Sequence, residues 1–367
     1  MSRDREFMSR ALALAARGLY TTTPNPRVGA VLVRDGRIIA EGFHEKAGGP
    51  HAEVMALHGA KAVEGAARGA DLYVTLEPCS HQGRTPPCTA ALIEAGVKRV
   101  VAAMQDPNPQ VAGSGFARLR EAGIAVASGI MESEARELNI GFVSRMTRGR
   151  PWVRMKVAAS LDGRTALANR KSQWITGEAA RTDGHAWRAR ACAVLTGFGT
   201  VRDDDPQLTV RMVRTPRQPL RVLIDSRLET PPAAKLFDKG ADGGGVLVFA
   251  GRDEVARRHA LEARGAEVVV LPNAEGKVNL PSMLAELARR GVNELHVEAG
   301  TRLNGSLLEE GCVDELLIYL APRLIGGTGL GMFDLSGMTE LAQTPMLRMG
   351  EITRVGEDVR ILARIRK

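Results

Sequence analysis

Cysteine, aromatic side chains and long apolar runs are all scarce in this chain. Four cysteines in 367 residues are too few for a disulfide framework, and a reducing, cytoplasmic setting is the expectation. Three Trp, three Tyr and eight Phe leave no interleaving of basic and aromatic residues of the kind on which single-stranded nucleic acid stacks. No run of about 18 apolar residues occurs, so no membrane span is expected. Met1 to Gly18 reads as an amphipathic helix broken by Arg and Glu, not as an apolar signal segment. Neither G-x-G-x-x-G nor G-x-x-x-x-G-K-[ST] is present, which removes the usual Rossmann and P-loop signatures. Charge of one sign does not dominate either. Fifty Lys and Arg against 42 Asp and Glu give a net charge of +8, scattered along the chain as on a solvated surface. Nucleic acid and membrane are therefore not expected partners, whereas a phosphorylated small molecule suits a mildly positive surface.

What is present is concentrated in three short segments: His51-Ala52-Glu53, Pro78-Cys79, and Cys88. His51, Cys79 and Cys88 are zinc-compatible donors, and three protein ligands leave one tetrahedral position open, as in catalytic zinc sites. Zinc lowers the pKa of a bound water toward neutrality. Glu53, two residues from the first ligand, is then placed to move protons. The His-x-Glu and Pro-Cys pattern is that of zinc deaminases. Eight residues, Ser80 to Pro87, separate the cysteines, where a generic deaminase has two; Gly83, Pro86 and Pro87 make this insert a loop. The other two cysteines, Cys192 in ACAVLTG and Cys312 before VDELLIYL, sit in apolar contexts and read as core residues. His58, His185, His259 and His296 have no motif context and read as structural or solvated.

The length predicts two domains. In the first, a helix over 7–17 precedes strands over 28–34 and 37–42, joined by Asp35-Gly36, a strong hairpin signal. A helix over 53–58, strand 71–76, helix 89–95, strand 99–104, helix 114–122, strand 124–127 and a closing helix over 132–142 follow. The basic, glycine- and proline-containing segment MTRGRP, 146–151, has linker composition. Beyond it, strands are expected over 151–159, 193–196, 220–224, 245–249, 267–271, 295–298 and 315–319, with helices over 178–190, 253–264 and 281–290. Strands alternating with helices make both halves α/β layered. Two strand-then-glycine segments, Thr196 to Thr200 and Val297 to Thr301, could present backbone N–H groups to a phosphate, although strand-to-helix turns use glycine in any case.

The segments TPNPRVGAVLV, GFHEKAGGPHAE, YVTLEPCSHQGRTPPC and MQDPNPQVAGSG resemble the deaminase half of the bifunctional riboflavin-biosynthesis deaminase/reductase family. KVAASLDGRTA, SQWIT, LTGFGTVRDDDPQLTVR, VLIDS and VEAGTRLNGSLL resemble its reductase half, in the expected order over nearly the whole chain. The resemblance implies a zinc-dependent pyrimidine deaminase domain over 1–146, with a three-layer cytidine-deaminase-like α/β fold. It implies an NADPH-dependent reductase domain over 151–367, with a dihydrofolate-reductase-like α/β fold. The first would hydrolyse the 2-amino group of 2,5-diamino-6-(5-phosphoribosylamino)pyrimidin-4(3H)-one, with Glu53 as the catalytic proton carrier and His51, Cys79 and Cys88 on Zn2+. The second would reduce the ribosyl group to ribityl. Asn25 and His44 would hydrogen-bond the pyrimidine. Ala158, Trp174, Thr200, Asp204, Ser226 and the stretch Gly300, Thr301, Arg302, Leu303, Asn304, Gly305, Ser306 would line the NADPH site. Ser172, Arg188, Leu208, Arg211 and Glu298 would contact substrate, with the two guanidinium forks suited to its phosphate. His81 either touches substrate or shapes its loop, and Asp162 either sits near the transferred hydride or forms a turn. A homo-oligomer is common for both folds. The competing readings are a nucleic-acid base deaminase, a zinc-stabilised binding protein without catalysis, and a chain in which one half is inactive.

Overall fold

The computed structural model describes residues 3–60, 67–81, 86–238, 244–335, 337 and 339–366. Gly83 of the inter-cysteine insert falls outside them. The chain divides into two compact units, Met1–Gly149 and Arg150–Lys367.

In the first unit Asp35 (φ 51°) and Gly36 (φ 71°) both take left-handed backbone, the pairing a two-residue hairpin turn requires. Gly29–Arg34 and Arg37–Phe43 consequently pair antiparallel. Gly29–Arg34 then pairs antiparallel with Asp71–Val74, and Arg99–Ala102 and Ala125–Ser128 extend the sheet in parallel. Successive side chains alternate between faces. Ala30 and Leu32 pack with Ala52 and Ala56 of helix Ala52–Ala60, Leu92 of Cys88–Glu94, and Phe116 and Leu119 of Ser114–Glu121. Val31 and Val33 face the other way, onto Phe7, Met8, Ala11 and Leu14 of Arg3–Ala16, with Ala135 and Phe142. The result is three layers, each buried Leu, Val or Phe contributing about 1.5–3 kcal/mol.

The closing helix expected over 132–142 is two helices, Glu132–Leu138 and Ile140–Arg148. The break falls at Asn139, whose side chain accepts the Arg27 N–H (2.8 Å) and donates to the Arg27 carbonyl (2.9 Å). That pairing spans the sequence and cannot be read locally. The segment expected as a linker from 146 remains helical through Arg148 and stops at Gly149, φ 65°.

The second unit is built on a nine-stranded sheet in the order Ala266–Val270, Val246–Ala250, Leu220–Ile224, Ala193–Gly197, Glu294–Val297, Trp152–Ser160, Glu315–Ala321, Asp358–Ile365, Leu347–Val355. The first seven are parallel and the last two antiparallel. Leu195, Val222, Leu247 and Phe249 fill one face, and Val194, Leu223, Val246 and Val248 the other. Cys192 and Cys312 are buried in the first of these cores. Several elements have no counterpart among the sequence expectations. Helices Phe198–Asp204 and Thr301–Glu309 start after glycines with no side-chain cap, so the usual start signal is missing. Strand Leu347–Val355 is almost wholly exposed at the sheet edge, so it carries no apolar alternation. The short pair Arg164–Ala166 and Leu330–Gly331 likewise owes its strand form to its partner, whereas Asp358–Ile365 does carry an apolar alternation, at Val359, Ile361, Ala363 and Ile365.

Candidate active sites

In the first unit three elements deliver three donors to one point. His51 immediately precedes helix Ala52–Ala60, Cys79 follows strand Asp71–Val74, and Cys88 opens helix Cys88–Glu94. Their ligand atoms lie within 4.8 Å of one another. His51 Nδ1 is 3.3 Å from Cys88 Sγ and 3.6 Å from Cys79 Sγ. A tetrahedral zinc with N and S bonds of about 2.0–2.1 and 2.3 Å needs N to S edges of about 3.5 Å, so the donor set fits that ion. The Cys88 N–H points at Cys79 Sγ (3.4 Å). Hydrogen bonds from Cys88 and His51 lower the Cys79 thiol pKa, while the same pairing with Cys79 raises that of Cys88. Glu53 is buried beside these groups, and burial pushes its carboxyl up to about 7.

Asn25 and His44 join this cluster. His44 Nδ1 lies 3.0 Å from the Pro50 carbonyl. A carbonyl only accepts, so Nδ1 carries the proton and Nε2 accepts from Asn25 Nδ2 at 3.0 Å. Burial lowers the His44 pKa, consistent with this neutral tautomer. Its ring stands edge-on to His51, centroids 5.3 Å apart. His81 is exposed. Sequence reasoning missed Asp106, a buried carboxyl pushed up to about 6 by burial and lying within the field of His81 and Cys79. Only its place in the DPNP segment could have drawn notice.

In the second unit the expected residues fall on neighbouring parallel strands. Ser226 follows Leu220–Ile224, Thr200 follows Ala193–Gly197, Gly300 follows Glu294–Val297, and Ala158 lies within Trp152–Ser160. The crevice beyond the carboxyl ends of parallel strands is where α/β sheets bind ligands. A Cβ on Gly300 would lie 3.7 Å from Thr200 Oγ1, and one on Gly199 would meet open space. The bare backbone at Gly300 opens helix Thr301–Glu309, whose first N–H groups suit a phosphate. These features fit a dinucleotide.

Other residues differ in how they can serve. Arg302 is exposed, Leu303 packs on the core, and a Cβ at Gly305 would strike the Asp334 carbonyl at 1.9 Å. Asn304 donates to the Met332 carbonyl, leaving its buried Oδ1 without a partner. Ser306 is half-buried. Asp204 accepts from the Ser172 hydroxyl (3.1 Å). Trp174 is exposed under the Arg181 guanidinium, and its carbonyl accepts from Arg323. Leu208 is buried in the core of the second unit. Asp162 accepts from Ser160 Oγ (2.6 Å) and the Gly326 N–H (2.7 Å), which ties down a turn.

The strongest charge cluster surrounds Glu298. Arg188 grips its carboxylate with two N–H groups, one at 2.8 Å, and gives a third to the Thr209 carbonyl. Lys156 Nζ lies 3.9 Å away and His296 Nε2 3.4 Å away. Burial alone would raise the Glu298 pKa, but Arg188 and Lys156 hold it well below the usual carboxylate range. Lys156, unmarked in the sequence, has its own pKa lowered by burial. Arg211 is exposed and donates its backbone N–H to His185 Nδ1 (3.1 Å). Burial, with the Arg188 and Arg211 charges, pushes His185 down to about 4. Unfolded His185 takes up a proton near pH 6.5 and the folded form does not, so stability falls as pH drops from about 6.5 toward 4. The melting temperature of the wild type is expected to fall more over this range than that of His185→Asn; equal slopes would refute the contribution.

Comparison with known proteins follows the same division. Residues 1–104 match the cytidine and deoxycytidylate deaminase zinc-binding region, and residues 151–361 match the RibD C-terminal domain. The riboflavin biosynthesis protein RibD of Escherichia coli is 47% identical over 370 residues, covering 97% of this chain and 98% of that protein. That of Haemophilus influenzae is 46% identical over 383 residues, covering 98% and 97%. Among solved structures, Acinetobacter baumannii RibD superposes with a TM-score of 0.90 at 42% identity, covering 100% of this chain and 99% of that one. A deaminase/reductase from Thermotoga maritima superposes with a TM-score of 0.87 at 36% identity, covering 99% of both. The first unit has the cytidine-deaminase-like fold and the second the dihydrofolate-reductase-like fold of RibD. The matched regions call for zinc in one and a nicotinamide cofactor in the other. No helix among the described residues is long and apolar enough to cross a membrane. With a deaminase and a reductase unit on one polypeptide, this chain belongs to the RibD family of bifunctional riboflavin-biosynthesis enzymes.

Proposed function

We propose that the first unit hydrolytically removes the 2-amino group of 2,5-diamino-6-(5-phosphoribosylamino)pyrimidin-4(3H)-one. The second then uses NADPH to reduce the ribosyl group of that product to ribityl, giving 5-amino-6-(5-phosphoribitylamino)uracil. The observation that carries this reading is the convergence of His51, Cys79 and Cys88 on one point beside the buried carboxyl of Glu53. The Thermotoga relative, named for both activities, supports the pairing.

In the first site Asn25 and His44 hold the pyrimidine ring. His51, Cys79 and Cys88 would hold the zinc, which would supply the Lewis acidity that makes water a nucleophile near neutral pH. Glu53 carries two protons in turn from the attacking water, the first to the ring nitrogen and the second to the amino group, which leaves as ammonia as its bond to the ring carbon breaks. In the second site a bound nicotinamide would supply the hydride that reduces C1′ of the ring-opened imine. Gly300 to Ser306, Thr200, Asp204, Ser226, Ala158 and Trp174 line the cofactor side. Arg188 holds Glu298 ionised and oriented toward substrate, and the exposed Arg211 meets the phosphate. Ser172 and Leu208 complete the substrate side. Lys156 is the group at hand to supply a proton. A homo-oligomer in a reducing, cytoplasmic setting completes the reading. Met346, Met349 and Ile352, 53–60% exposed on or beside the edge strand, support self-association.

The test mixes purified protein with the diaminopyrimidine and NADPH, following ammonia and NADPH absorbance together. Equal loss of NADPH and release of ammonia are expected, both abolished when a chelator strips the metal. Deaminated product supplied directly should still oxidise NADPH in the stripped protein. Ammonia without NADPH oxidation would remove the second half of the reading.

A further inference from the structure

Glu77, which precedes the Pro78-Cys79 pair, is 3% exposed and takes part in none of the chemistry above. Its carboxylate accepts four backbone N–H bonds from one distant segment. Oε2 takes those of Asp106 (3.1 Å) and Gly113 (3.0 Å), and Oε1 those of Gly115 (2.9 Å) and Phe116 (3.2 Å). A carboxylate has about four acceptor positions, so this one is saturated and has none left for substrate. Two of the donors lie in the first turn of helix Ser114–Glu121, where backbone N–H groups are otherwise unpaired and negative charge is favoured.

The same helix end touches the ligand loop on both sides of Cys79. A Cβ on Gly115 would lie 2.0 Å from the Pro78 carbonyl, so only glycine permits the approach. Ser80 Oγ is 2.7 Å from Ser114 Oγ, and the Ser80 carbonyl accepts from Arg118 (3.3 Å). On its other flank Cys79 meets the Cys88 helix, its carbonyl accepting the Thr89 N–H (3.2 Å). Cys79 is therefore held from two sides: the Cys88 helix bonds its carbonyl and its Sγ, and helix Ser114–Glu121 fixes Pro78 and Ser80 on either side of it.

We propose that Glu77 is a positioning residue of the metal centre. By clamping segment 106–116 it sets where Cys79 Sγ stands relative to His51 and Cys88. The MQDPNPQVAGSG segment is the receptor for that carboxylate. This inference rests on the reading of His51, Cys79 and Cys88 as metal ligands.

Glu77→Gln tests it in the full-length chain. The amide keeps the volume and one acceptor oxygen, but its nitrogen donates where two N–H groups need an acceptor. Zinc affinity is measured by competition with a chromogenic chelator, and site geometry by the absorption of the cobalt(II) form. The wild type should bind one metal per chain and Cys88→Ser should bind none tightly. Glu77→Gln should bind about 10- to 100-fold more weakly, as loss of a supporting residue around a metal typically does. Its thiolate-to-cobalt absorption should change, while NADPH oxidation on deaminated product stays at the wild-type rate. Wild-type affinity and spectrum in Glu77→Gln would overturn the inference. So would loss of the thermal transition of the first unit in that variant, since the role would then be in folding alone. If the wild type itself takes up neither zinc nor cobalt, the ligand reading falls, and this inference with it.

Discussion

Glu53→Gln is expected to lower ammonia release by on the order of 10²- to 10⁴-fold, the range that a positioned general acid–base supplies, while one zinc per chain remains bound. Glu53 sits in the first turn of helix Ala52–Ala60, two residues past His51, and is buried beside the metal donors. It is not one of the three residues whose donor atoms converge. Glutamine matches its shape and can hydrogen-bond, yet its amide cannot take a proton from water and return it to ammonia. Metal content and ammonia release are measured on the same preparation. Deamination within ten-fold of wild type would end the proton-carrier assignment. Loss of zinc along with activity would move Glu53 into the ligand set. NADPH oxidation on deaminated product should be unaffected, because that step uses the second unit.

Arg188→Ala is expected to cut the reductase kcat/KM by roughly 10²-fold, and to leave ammonia release unchanged. Arg188 holds Glu298 through two N–H groups at a site where both side chains are mostly buried. Hydrogen bonds to charged groups are each worth about 1.5–3 kcal/mol. Removing the guanidinium leaves the carboxylate partly uncompensated, with Lys156 and His296 the nearest remaining partners in its described ion pairs. The Glu298 pKa then rises from its depressed value, so the activity still present should shift its acid limb to higher pH. A pH profile of the residual rate distinguishes this from a general loss of packing, which would lower the rate without moving the limb. Damage to both activities equally would show that the residue acts through the fold.

The sites were unevenly legible in the sequence, for a physical reason. Metal coordination demands rare side chains, and their types and motif spacing are written in the sequence even though His51 lies 28 residues from Cys79 and 37 from Cys88. His51 and Glu53 share the start of one helix, and Cys79 and Cys88 bracket one loop. Residue type and spacing therefore carried most of that site. Asp35-Gly36 was equally plain, because the turn needs left-handed backbone at two successive positions. Glu298 and Arg188 were named only through resemblance, since 110 residues separate them. Lys156 and Asp106 escaped notice altogether, as a single charged residue in a strand or loop has no distinguishing pattern. Glu77 was invisible in its role because its partners are backbone N–H groups, which every sequence possesses.

The sequence by itself determined two α/β units, the zinc-type donor set with its carboxylate, and the scarcity of aromatic residues and long apolar runs. These follow from residue chemistry and short-range periodicity, both written locally. Only the tertiary structure decided the order of nine strands, and with it the meeting of Arg188, Lys156 and His296 around Glu298. It alone split the helix at Asn139, made an exposed segment into the edge strand Leu347–Val355, and aimed four amides at Glu77. Each of these depends on a partner far along the chain, and distance through space is set by how the layers pack.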